Sequence, residues 1–266
     1  MTELRQRILV SVVFIPVLLS ALWLGGIPLI IMFAMINVLG GLELIMMLRN
    51  KAIKVSFNLL IPSFLLYIML VLVRGLDAVL VWTALLLLII GGILNWDRER
   101  TVPGIMGALF CLVYVSFIPA LIVRIGLDYI GQPILLSLVI AIWIVDSVAY
   151  FVGMSFGKHR NLTPISPRKS LEGFVAGALV PFVIVIIFYY TGFKPIAMPY
   201  MLMVASAAGI VGQMGDLAES MLKRFADVKD SSRIIPGHGG ILDRTDSILL
   251  AGSYLYCVLM IFEKVR

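Results

Sequence analysis

Long apolar runs separated by short polar segments set the character of the chain. A helix that crosses a bilayer needs about 20 predominantly apolar residues. The runs place such helices near 8–24, 27–48, 56–73, 76–95, 103–124, 133–156, 173–193, 198–222 and 241–262. The pattern therefore predicts an all-α, polytopic membrane protein of about nine transmembrane helices. Residues 1–7 are short and basic and lead into an apolar run, which reads as an uncleaved first helix. Gly25-Gly26-Ile27-Pro28 forms a tight turn that allows the first two helices to be a hairpin.

The polar segments are uneven. Residues 220–247 carry Lys223, Arg224, Lys229, Arg233 and Arg244, the aspartates Asp227, Asp230, Asp243 and Asp246, and His238. A basic helix end is followed there by Pro236-Gly237-His238-Gly239-Gly240. An apolar run then takes up Asp243 and Asp246, at positions where carboxylates are costly in a membrane. A second polar loop, 157–172, holds Lys158, Arg160, Arg168 and Lys169. It follows a helix with Asp146 inside its apolar run. Most of the first 130 residues carry no comparable chemistry, so the chain divides into N-terminal transmembrane helices (1–130) and a C-terminal transmembrane catalytic region (131–266).

Composition supports the membrane class: 61% of residues are hydrophobic and 14% charged, with a mean hydropathy of +1.08. The distribution of base gives orientation. With the N-terminus cytoplasmic, 16 Lys and Arg residues fall inside and 5 outside (Arg74, Arg124, Lys194, Lys264 and Arg266), as cytoplasmic loops favour. Both polar loops then face the cytoplasm, where nucleotides are. The basic excess is accounted for by topology and an anionic substrate, with no need of nucleic acid. Cys111 and Cys257 lie in apolar runs as core or lipid-facing thiols.

Candidate chemistry collects near the predicted cytoplasmic helix ends. Pro167 is expected to open a helix, with Arg168, Lys169 and Ser170 in its first turn, where free N–H groups and the dipole favour an anion. Asp216, Glu219 and Lys223 share one face of the eighth helix, and Glu219 and Lys223 are a favourable i,i+4 pair. Asp243 and Asp246 share a face of the last. Glu43 is read as snorkelling or pairing with Arg49, and His159 as a surface histidine. Bare carboxylates repel phosphate, but a hard cation takes one or two carboxylates together with phosphate oxygens. Acids for a metal beside bases for phosphate suggest metal-assisted phosphoryl or nucleotidyl transfer.

Ser220, Lys223, Arg224, Lys229, Asp230, Pro236, His238, Gly239, Gly240, Asp243, Arg244 and Asp246 stand in the register of a known signature. By it the chain resembles the phosphatidate cytidylyltransferases (CDP-diacylglycerol synthases). The resemblance extends through Gly215-Asp216 and Ser166-Pro167-Arg168-Lys169 to Asp146, about the last 130 residues. Arg168, Ser170 and Leu171 stand where that family often has Lys, Thr and Trp. The resemblance implies transfer of the cytidylyl group of CTP to phosphatidate, giving CDP-diacylglycerol and pyrophosphate in phospholipid biosynthesis.

It also implies site residues. Asp216, Lys223, Arg224, His238, Asp243, Arg244 and Asp246 would carry the chemistry. Arg168, Lys169, Ser170, Glu172, Lys229, Asp230, Gly239 and Gly240 would bind substrate. Asp146, Asp216, Asp243 and Asp246 would hold Mg2+ or another divalent cation, with room for a second. His238 is equally suited to donating to phosphate and to shaping the glycine turn. The implied partners are CTP, phosphatidate and the bilayer, with no nucleic acid; a homodimer is compatible with the reading. The implied location is a bacterial cytoplasmic membrane with the site facing the cytoplasm. A CDP-alcohol phosphotransferase pattern fails at Ser247 and lacks its leading Asp-Gly. A transporter would favour midplane sites and internal repeats.

Overall fold

The computed structural model describes residues 3–161, 163–235, 237 and 239–265. Pro236 and His238, both singled out from the sequence, lie outside the described residues. In lipid the backbone must satisfy its own hydrogen bonds, so apolar runs of this length fold as helices. The helices are α1 (Glu3–Leu24), α2 (Gly26–Asn50), α3 (Leu60–Leu72), α4 (Asp77–Leu94), α5 (Thr101–Leu112), α6 (Ile118–Asp128), α7 (Ile134–Phe156), α8 (Leu171–Thr191), α9 (Met198–Ser206), α10 (Gln213–Phe225) and α11 (Leu242–Val265). A 3-10 turn, Phe57–Leu59, leads into α3. π-helical turns at Val113–Phe117 and Ala207–Gly212 join α5 to α6 and α9 to α10.

Helix thus occupies each predicted run. Among the described residues, seven helices are long and apolar enough to cross a membrane, counting Thr101–Asp128 and Met198–Phe225 as continuous; Phe14–Leu24 and Phe57–Leu72 are shorter apolar helices. β pairing among the described residues is confined to isolated bridges. The protein is an all-α polytopic membrane protein made of two compact units.

The first unit comprises Met1–Ala21, Gly26–Arg124 and Leu222–Asp243. Here α2 packs on α3 and on the Val113–Phe117 turn. A π turn displaces carbonyls from the regular ladder. Asn37, fully buried in α2, donates to Val115 O at 2.6 Å and to the hydroxyls of Ser63 and Ser116 at 3.1 Å. Arg124, counted from the sequence as an outer loop base, is only 2% exposed. Its guanidinium grips both oxygens of Asp77 at 2.9 and 2.5 Å and donates to Leu70 O at 2.9 Å. A buried arginine needs such a bidentate partner.

Helices α2 and α10 end alike. Ile53 N bonds Leu48 O and Ala52 N bonds Arg49 O; Val228 N bonds Lys223 O and Asp227 N bonds Arg224 O. Each is a Schellman motif, with the left-handed position taken by Ala52 (φ 58°) and by Asp227 (φ 56°) rather than by glycine. Lys51 forms an ion pair with Asp227, so the two helix ends are tied together.

The second unit comprises Leu22–Gly25, Ile125–Met221 and Arg244–Arg266. Its most extensive contact is α7 on α8, made close by small residues. A Cβ on Gly173 would fall 2.5 Å from Ala149 O and 3.2 Å from Gly153 Cα, so only glycine fits there. Gln213 serves the second π turn as Asn37 serves the first, donating to Gly209 O at 2.6 Å and to Phe174 O at 3.1 Å. This unit also holds an apolar cavity of about 360 Å3, walled by Ile140, Ile144, Val185, Phe188, Met201 and neighbouring residues.

Candidate active site

In the first unit the site is built on α11's first turn and the loop that precedes it. Asp243 accepts four hydrogen bonds. Its Oδ1 takes one from Lys223 Nζ at 2.6 Å; its Oδ2 takes those of Gly240 N at 2.8 Å, Ser231 N at 2.9 Å and Ser231 Oγ at 3.0 Å. Reaching back three residues to Gly240 N is what the acid of a capping box does. The arrangement explains both glycines. At Gly239 (φ +86°) a Cβ would stand 2.7 Å from Asp243 Oδ2, and at Gly240 it would stand 1.9 Å from Ser231 Oγ.

Glu43 enters the same loop. It is fully buried and accepts from Ser232 Oγ (2.6 Å), Ile241 N (2.8 Å), Ser231 Oγ (2.9 Å) and Leu242 N (2.9 Å). Reading Glu43 as snorkelling or as a partner for Arg49 is therefore corrected. Arg49 instead lies over the Phe57 ring, at 4.6 Å from its centroid. The first N–H groups of a helix lack intrahelical acceptors, and Glu43 supplies them from another helix. Only the apolar surroundings of an acid hinted at it in the sequence; its partners are about 190–200 positions away along the chain.

Around this core Lys229, Asp230 and Arg233 are exposed. With Asn50, Ser231 and Ser232 they line an open cavity of about 660 Å3. Arg224, also exposed, donates to Val228 O at 3.3 Å.

In the second unit the acids sit differently. Lys169 forms an ion pair with the half-buried Asp216. Asp146, open at the surface of α7, stands within electrostatic reach of both Asp216 and Lys169. A Cβ on Gly215 would lie 2.6 Å from Asp246 O. That close approach brings the turn bearing Asp216 against the buried Asp246, whose Oδ1 accepts from Ser247 N at 2.7 Å. Arg244, two residues before Asp246 in the first turn of α11, is exposed.

The start of α8 differs from the sequence expectation. The helix begins at Leu171, and Ser170 is its N-cap in extended geometry, its Oγ accepting from Gly173 N at 3.1 Å. Serine is a strong N-cap residue, so Arg168 and Lys169 precede the helix and are not in its first turn. Ser170 is buried and spent on the cap. Glu172 accepts from His159 N at 3.1 Å and pairs with His159 Nδ1 at 2.6 Å. It holds the 157–160 segment, and His159, though exposed, is a partner in that hold.

Among the described residues, no three His, Cys, Asp or Glu side chains converge as a cage for a metal. Mg2+ requires less: one or two carboxylates, with phosphate and water completing its octahedron. Asp146 and Asp216 are the acids that could supply such donors, since they act on each other electrostatically and share one base, Lys169. Asp243 has its oxygens engaged by Lys223, Ser231 and Gly240.

Residues 5–262 match the model of the cytidylyltransferase family. The chain is 34% identical to a phosphatidate cytidylyltransferase of Bacillus subtilis over 99% of this chain and all of that protein. It is 35% identical to one from Thermotoga maritima, over 64% of each chain. With one from Haemophilus influenzae it shares 43% identity over 48% of this chain and 47% of that one.

Proposed function

The chain belongs to the cytidylyltransferase family, and from that premise we propose that it transfers the cytidylyl group of CTP to phosphatidate. An oxygen of the phosphatidate phosphate attacks the α-phosphorus of CTP. The bond to the β-phosphate oxygen breaks, and pyrophosphate leaves with the electron pair. The attacking group is already an oxyanion, so no strong base is required. The observation that carries the reading is the matching of base to acid on both units: Lys223 on Asp243, and Lys169 on Asp216. Such pairs hold ammonium groups in place for phosphate while keeping the apo protein neutralised.

Asp146 and Asp216 would hold Mg2+, which supplies charge neutralisation to phosphoryl oxygens during transfer. Asp246 supports the turn that carries Asp216. Lys223, Arg224 and Lys229 meet phosphate charge, and Asp243 fixes Lys223 and the glycine turn. The open cavity with Lys229 and Arg233 suits an anionic group; the apolar cavity of the second unit suits an alkyl chain. Both polar loops face the cytoplasm of a bacterial membrane in this reading.

The test is purified protein with CTP, phosphatidate and Mg2+, followed by mass detection of CDP-diacylglycerol. Product is expected, and loss of turnover in excess chelator with it. No product under these conditions overturns the reading. For orientation, Lys158→Cys and Lys229→Cys in a background lacking Cys111 and Cys257 should be shielded in intact cells from an impermeant thiol reagent. Labelling of either from outside reverses the topology.

A further inference from the structure

We propose that Glu43 is a positioning residue for this reaction, holding the 231–242 segment and, through Ser231, the Asp243 carboxylate and the Lys223 ammonium. The proposal rests on the cytidylyl-transfer reading and adds to it a residue from the N-terminal half of the chain. Glu43 lies seven residues inside the end of α2, about 10 Å along the helix, and none of its surface is exposed. A carboxylate so placed is expensive unless every lone pair is used. Here each oxygen accepts one serine hydroxyl and one backbone amide: Oε1 from Ser232 and Ile241, Oε2 from Ser231 and Leu242.

The donor pattern sets the residue type. All four partners offer protons, so a carboxylate satisfies them and an amide does not. In Glu43→Gln the shape is kept, but in either orientation the NH2 group would face a backbone N–H, donor against donor, and a serine hydroxyl would have to turn to accept. Ser231 then extends the effect. Its Oγ is 2.9 Å from Glu43 and 3.0 Å from Asp243, so one hydroxyl proton is shared between two carboxylates. Asp243 in turn holds Lys223 at 2.6 Å. The result is a continuous polar chain, Glu43–Ser231–Asp243–Lys223, inside one unit. Its surroundings have no slack: a Cβ on Gly240 would stand 2.5 Å from Glu43 Oε1, and one on Gly40 would stand 2.9 Å from Leu242 Cδ2.

A residue that only stabilised the fold would change activity in step with stability. Asn37, on the same helix and also fully buried, provides that reference. The experiment compares wild type, Glu43→Gln, Glu43→Asp and Asn37→Ala in detergent or nanodiscs. It measures thermal midpoint, kcat and KM for both substrates, and amide exchange of the 231–242 peptide. Glu43→Gln should lower kcat at least tenfold and speed exchange of that peptide at least tenfold. Glu43→Asp, which keeps both acceptors, should recover part of each loss. Asn37→Ala should lower the thermal midpoint while kcat stays within about twofold. Should Glu43→Gln fail to fold, Ser232→Ala removes one of the four bonds to Glu43, along with the bond that Ser232 Oγ accepts from Ile234 N, and should lower kcat about threefold with faster exchange.

Near-normal kcat in Glu43→Gln, or in Ser232→Ala where that variant replaces it, overturns the proposal. So does an equal loss of kcat in Asn37→Ala. A wild-type protein that makes no CDP-diacylglycerol would instead fail the functional reading itself.

Discussion

The two units treat their acids in opposite ways. In the first, Asp243 and Glu43 are surrounded by donors: Lys223, two serine hydroxyls and four backbone N–H groups converge on two carboxylates. In the second, Asp216 has Lys169 as its ion-pair partner, and Asp146 feels the charge of both. The contrast separates two uses of the same side chain. A carboxylate saturated by protein donors shapes backbone and aims a neighbouring ammonium. A pair of acids sharing one base keeps excess negative charge, which in the proposed reading would take up a cation together with a phosphate substrate. The family resemblance implies Asp146, Asp216, Asp243 and Asp246 as a single ligand set; the hydrogen bonds and ion pairs give Asp243 and Asp216 different protein partners.

The division can be broken by experiment, and the largest effect should lie with the second unit. Asp146→Asn and Asp216→Asn should each lower turnover by at least about a hundredfold, roughly 3 kcal/mol in the barrier. Both should also move the Mg2+ concentration for half-maximal rate upward, seen in steady-state kinetics over a Mg2+ titration. If both retain normal turnover and metal dependence, the pair is structural and the contrast collapses.

Asp243→Asn should cost about thirtyfold in turnover, roughly 2 kcal/mol, because an amide meets donors with a donor. Its Mg2+ midpoint should remain that of wild type. A shifted midpoint would return Asp243 to the metal-binding set. Gly240→Ala tests the same loop from the backbone side. The added methyl collides with Ser231 and Glu43, so a loss of about tenfold is expected, with faster exchange of the 231–242 peptide. Wild-type kinetics in that variant would mean that the loop tolerates displacement.

The smallest effect concerns the two helix ends. Ala52 holds a left-handed conformation that costs a side-chain-bearing residue about 1–2 kcal/mol, part of which is offset by glycine's greater freedom when unfolded. Ala52→Gly should therefore stabilise the first unit by about 0.5–1 kcal/mol, read as a small rise in thermal midpoint with unchanged kcat. A lower midpoint would show that the Schellman end at Ala52 is not strained.

Sequence alone determined the class and the placement of the helices. Lipid leaves an apolar run of this length little choice but helix, and the run boundaries are set by local composition. It also singled out the polar segments around Lys169, Asp216, Lys223 and Asp243, because charge is costly there and the fixed spacing of the signature is local. Tertiary structure alone decided what each acid contacts. Glu43 meets Ser231, Ser232, Ile241 and Leu242 from 188–199 positions away along the chain, and nothing in its own neighbourhood announces them. The same holds for Arg124, which looks like a loop base until α4 brings Asp77 to it, and for Ser170, whose cap moves the start of α8 past Arg168 and Lys169. Hydrophobic period is a property of neighbours in sequence. The saturation of a carboxylate is a property of neighbours in space, and only the packed helices supply it.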